Sequence, residues 1–287
     1  MHQVEHVLAV GSELGEGPLW NVEEQALYWV DIQGDCFHRF HPASGVHEVF
    51  DVGLLVSALA FRAAGGLLMA TGQGLAFWEA ETRTLQFVAD PEAGKPEARF
   101  NDGAVDRQGR FWVGTLSEDP TSSLYRLDPD LSIHRMETGL TVSNGIGWSP
   151  DDKTMYLTDS RPGLIYAYDF DAATGAIENR RTFAHSSGAE GVPDGLTVDR
   201  EGFVWSARWG GWKVVRYDPA GQVEREMRLP VQYPTSCTFG GVGLDELYIT
   251  SAWTALGEAG RKTQPLAGDL FRLPAGVEGF AAPRFLG

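Results

Sequence analysis

Six side-chain oxygens recur at one position of a repeat within this 287-residue chain. The stretches EGPLW (Glu16), SALAF (Ser57), NDGAV (Asn101), NGIGW (Asn144), DGLTV (Asp194) and TSCTF (Thr235) overlay one another, 41 to 50 residues apart, each closing on an apolar residue. Arranged about an axis, these residues make a ring of oxygens, the makings of a metal site. An all-oxygen set without His or Cys suits hard or borderline divalent cations: Ca²⁺, Mg²⁺ and Mn²⁺ first, with Zn²⁺ and Fe²⁺ also compatible. Glu16 and Asp194 bring negative charge, Asn101 and Asn144 neutral carbonyl oxygens. An acid beside a crowded axis would carry unpaired charge without a counter-ion. Ser57 and Thr235 read equally well as residues capping turns.

A repeat of this period marks a propeller or a helical array. Its content decides for the propeller. After each anchor comes a short apolar run: LYWVDI (27–32), LLMATG (67–72), RFWVGT (110–115), MYLTDS (155–160), FVWSAR (203–208) and LYITSA (247–252). A third run follows in every repeat, such as SLYRLDPD (123–130) and KVVRYDPAG (213–221). These runs alternate and are rich in aromatic and β-branched residues, as strands require. Turns such as DRQGR, SPDDK and DREGF punctuate them. No long segment combines a helical apolar period with caps. The expectation is all-β: one six-bladed β-propeller domain over 1–287, four antiparallel strands per blade. The N-terminal VEHVLAV (4–10) is expected to join the last blade and close the circle, because the tail AAPRFLG is short. The step of 50 before Asp194 predicts an excursion near 184–193.

Composition narrows the function. A net charge of −16 repels phosphate backbones and anionic lipid, which argues against nucleic-acid and membrane partners. Cys36 and Cys237 sit in separate predicted strands and read as small buried hydrophobes in a reducing compartment. With no leader-like segment and no long apolar run, the expected location is cytoplasmic. A monomer is expected. The GxSxG nucleophile elbow and a full dinucleotide fingerprint are both missing. Strand direction places the loops after second strands on the ring face, including 116–119, 210–212 and 253–268, and the segment carrying Arg99. Trp209 and Trp212 offer an apolar wall there.

The strings LGEGPLW (14–20), RFNDGAVDRQGRFWVGT (99–115), SNGIGWSPDDKTMYLTDS (143–160), PDGLTVDREGFVWSARWGG (193–211) and LYITSA (247–252) resemble the SMP-30/gluconolactonase, or regucalcin-like, family nearly end to end. The resemblance implies a six-bladed propeller with one divalent cation on its axis and hydrolysis of sugar-acid lactones. It implies Glu16, Asn144 and Asp194 as metal ligands, with Arg99 and Asn101 contacting substrate. Family members carry an acidic residue after GTM that meets sugar hydroxyls; here the string is GTLSED, and Glu118 or Asp119 takes that role.

Lactone hydrolysis needs a polarised carbonyl, an activated water and a stabilised oxyanion. Asp194 is the candidate general base, beside the metal and facing the cavity. Arg99 can hold developing negative charge in a forked contact, or else pair with Glu97 or Asp102. Two further classes remain open: a non-catalytic calcium-binding or partner-binding propeller, and a phosphotriester hydrolase.

Overall fold

The computed structural model describes residues 4–95 and 98–287. They form six four-stranded antiparallel sheets, the blades of a propeller. The innermost strands, in chain order, are Gly15–Asn21, Val56–Phe61, Arg99–Val105, Ser143–Trp148, Val192–Val198 and Pro234–Gly240. Each ring residue is the second or third of its strand. The second strands run back toward the ring, so that Glu16 registers with Val30 and Asn144 with Thr158. The loops following them therefore open on the ring face.

Closure is as expected. Glu5–Leu8 pairs antiparallel with Leu270–Pro274 as the outer strand of the sixth blade. The excess length before Asp194 is distributed differently from the expectation. The turn Gly188–Glu190 occupies part of 184–193, but much of the excess extends the outer strands Leu164–Asp171 and Ala176–His185 of the fourth blade.

Large side chains fill the seams between blades, where sheets pack face to face. Trp112 meets Trp148 of the next blade at 6.1 Å, and Trp205 meets Phe239 edge-on at 5.8 Å. Two turns contribute a common latch. Asp106 of DRQGR accepts from Trp112 Nε1 at 2.9 Å and Arg110 Nε at 2.6 Å. Asp199 of DREGF does the same for Trp205 at 2.8 Å and Arg216 at 2.7 Å. Both are buried charges made tolerable by pairing and full hydrogen bonding.

The tail departs from its reading as a short end to the last blade. It leaves Gly279, whose carbonyl accepts from Arg200, and runs across the face opposite the ring. Phe280 lies under Arg107 of the third blade, and Phe285 is fully buried, bonded to Phe61 and Ala63 of the second. Both cysteines are free, and no helix among the described residues is long and apolar enough to cross a membrane.

Candidate metal and substrate site

Every inner strand is irregular at its ring residue. Register slips between Glu16 and Leu19, Val56 and Ala58, Phe100 and Gly103, Asn144 and Ile146, Pro193 and Leu196, and Pro234 and Cys237. A bulge bends the strand and re-aims a side chain that would otherwise stand on the blade face. Six such bulges stand at one level, one at each ring residue. The glycines behind them make this feasible. Gly17 has φ +53°, and a Cβ on Gly195 would lie 2.1 Å from Ser236 Oγ.

The six oxygens then divide into two groups. Thr235 Oγ1 donates to the Gly15 carbonyl at 2.5 Å and meets Thr250 Oγ1 at 2.8 Å, stitching the last blade to the first. Ser57 Oγ donates to the Ala70 carbonyl at 3.4 Å. These two hydroxyls are structural. Among the described residues Glu16 accepts only the Gly17 N–H, at 3.1 Å. Asn144 donates through Nδ2 to Ser160 Oγ at 3.0 Å, while its buried Oδ1 has no partner among the described residues. Asn101 donates to the Ser143 carbonyl at 2.9 Å and accepts from Arg99 at 3.1 Å.

Charge on the axis is unbalanced. Burial, then Asp194 and Asp102, push the Glu16 carboxyl well above its ordinary range, with Arg99 opposing. Burial and then Asp102 raise Asp194 likewise. Asp102 itself is lifted to about 6 by burial, against the Gly103 N–H that it accepts at 2.8 Å. It was absent from the sequence-based site. It lines a cavity of about 150 Å³ beneath the ring, bordered on its far side by Phe280 and Pro283 of the tail. Among the described residues no three acidic, His or Cys side chains converge on one point, so a cation here requires amide oxygen as well. Two carboxylates, a third beneath them and an orphaned buried carbonyl oxygen fit a hard divalent cation.

Arg99 is half-buried beside this group, and burial lowers its affinity for the proton while Glu16 restores part of it. It forms no ion pair with Asp102 among the described residues, and the other expected partner, Glu97, lies outside them. Glu118 and Asp119 stand on the loop between Phe111–Leu116 and Ser122–Leu127, at the mouth. Their side chains are exposed, and the loop is held through main-chain oxygens: Glu118's accepts from Arg161 and Asp119's from Ser117 Oγ. Trp209 packs on Tyr233 at 4.7 Å, and Trp253 is anchored to the Gly11 carbonyl at 3.0 Å. The loop 253–268 contains the short turns Thr254–Leu256 and Gly257–Arg261.

Comparison with known proteins agrees with this architecture. Residues 14–253 match the family model described as the SMP-30/Gluconolactonase/LRE-like region. The chain is 35% identical to regucalcin of Xenopus laevis, covering 99% of each protein. It is 36% identical to pentonolactonase XacC of Haloferax volcanii, covering 96% of each. A solved structure described as a calcium-binding protein, regucalcin, from Agrobacterium tumefaciens superposes with a TM-score of 0.94 at 29% identity, over 99% of this chain and 97% of that one. The chain belongs to the SMP-30/gluconolactonase/LRE-like family.

Proposed function

We propose that this protein is a metal-dependent hydrolase that opens sugar-acid lactones to aldonic acids. One observation carries the reading: an incompletely satisfied Glu16–Asn144–Asp194 group stands beside an Arg99–Asn101 pair. The similarity to a pentonolactonase over nearly the whole chain supports it. Cation storage alone gives no role to a half-buried arginine, so the pair favours a hydrolase over a calcium-binding propeller.

Glu16, Asn144 and Asp194 would hold the cation, with Ca²⁺, Mg²⁺, Mn²⁺, Zn²⁺ and Fe²⁺ as candidates. When bound, it supplies a Lewis acid for the lactone carbonyl. Asp194 takes the proton of the attacking water as the water oxygen bonds to the carbonyl carbon. Arg99 donates to the oxygen on which negative charge develops. When the ring C–O bond breaks, Asp194 returns the proton to the departing ring oxygen. Asn101 is pinned by Ser143 and Arg99, so it presents a fixed amide to the substrate. Glu118 and Asp119 are free to meet sugar hydroxyls from the rim. All these groups come from one chain, so a monomer suffices.

The test is acid release in weak buffer from a panel of 1,4- and 1,5-aldonolactones, using metal-stripped enzyme and enzyme reloaded with each cation. Cation-dependent opening is expected, falling by about 10³-fold or more in Asp194→Ala. No rate above spontaneous hydrolysis on any lactone with any cation would refute the reading.

A further inference from the structure

The buried cations of this acidic protein follow one rule with one exception. Arg110, Arg126, Lys213 and Arg216 each hold a carboxylate at 2.6–2.7 Å. Arg208, only 2% exposed, has no ion pair among the described residues. Its one side-chain hydrogen bond among the described residues runs from a terminal nitrogen to Ser186 Oγ at 3.0 Å, and its guanidinium lies 5.3 Å from the Tyr217 ring centroid. Burial pulls the guanidinium down to about 10, with Glu190 and Glu226 opposing. A buried charge without a partner is costly, and most of this fork's donors are unused.

Arg208 lines a cavity of about 260 Å³ in the seam between the fourth and fifth blades. The remainder of that cavity is polar but nearly balanced in charge. Glu190 and Glu226 reach it, Glu226 already holding Lys213 at 2.6 Å, and His185 and Gln222 complete the rim. A strongly charged anion such as phosphate would meet two carboxylates. A single carboxylate bearing several hydroxyls suits the walls better. Its head would take the free side of the Arg208 fork, and its hydroxyls would donate to Glu190, Glu226 and the amide of Gln222.

We propose that this seam is a second, non-catalytic binding site for a small polyhydroxylated carboxylate, anchored by the Arg208 guanidinium. That class includes the acid released by lactone opening, and this link alone rests on the proposed function. The route to the axis is short: Arg208 registers with Pro193, the residue before Asp194.

Calorimetric titration of the metal-stripped full chain, in wild-type and Asp194→Ala backgrounds, separates this site from the axis. Gluconate, acetate and inorganic phosphate are the probes. Gluconate is expected to bind both backgrounds with similar affinity and to lose about tenfold or more in Arg208→Met, the loss of charge-assisted hydrogen bonds. Arg208→Lys keeps the charge without the fork; it is expected to fall between the two, and it decides the matter if Arg208→Met fails to fold. Gluconate binding unchanged by either substitution, or absent from wild type, would overturn the proposal. Phosphate or acetate binding as tightly as gluconate through Arg208 would overturn the hydroxy-acid assignment.

Discussion

Asn144 engages its amide nitrogen with Ser160 and leaves a buried carbonyl oxygen without a donor. Asn144→Ala should therefore raise the dissociation constant of the cation at least about 10–100-fold, as measured by calorimetry on metal-stripped protein. Unchanged affinity would remove Asn144 from the ligand set. Asp102 acts oppositely when no cation is bound. Asp102→Asn should stabilise the cation-free protein at pH 7 by roughly 3 kcal/mol, because a carboxyl raised to about 6 disfavours its charged form there. Urea unfolding in chelator tests this, and equal or lower stability would contradict it. The placement of Glu16, Asn144 and Asp194 at the starts of inner strands was legible because polar residues opening an apolar strand break its pattern. Asp102 was not. It follows Asn101, and strand alternation would send it to the opposite side. The bulge between Phe100 and Gly103, which a period-two reading does not contain, brings it to the axis.

The strands were legible for ordinary reasons: alternating aromatic and β-branched runs between Asp, Gly and Pro turns. The contacts between neighbouring strands were less so. In the first blade, His38 and His47 lie 3.0 Å apart through ring nitrogens and both stack on Trp29. Nothing in their spacing, nine residues apart across a turn, announces this. Burial, then the neighbouring His47, lowers His38 to about 4. Below the unfolded value of about 6.5, the unfolded chain binds a proton that the folded blade refuses. Stability is therefore complete above that value and is lost as pH falls toward 4, by roughly 3 kcal/mol in all. Thermal melts of the cation-loaded protein between pH 7 and pH 4.5 should fall less steeply in His38→Phe than in wild type. Parallel curves would assign acid lability elsewhere. At the axis, Gly195→Ala should cost about 1–3 kcal/mol by overpacking against Ser236, and should weaken cation binding by displacing Asp194.

For the molecule as a whole, circular closure was legible because a strand preceding the first ring residue has no other edge to occupy. The path of the tail was not, since AAPRFLG carries no periodicity and its anchoring depends on where other blades leave a gap. Phe285 fills that gap completely. Phe285→Ala should cost about 3–5 kcal/mol in denaturant unfolding, the magnitude for a large aromatic in a packed core. A cost below one kcal/mol would mean that the tail is not fastened there.

The same tail bears on traffic through the molecule. With Phe280 and Pro283 bordering the cavity beneath Asp102, the tail narrows the far end of the axis. A narrowed far end steers exchange with the ring toward the opposite face, where arrival and departure share one approach. An occupant that lingers becomes a stopper, and the pace of the site is then set by how readily the rim lets go.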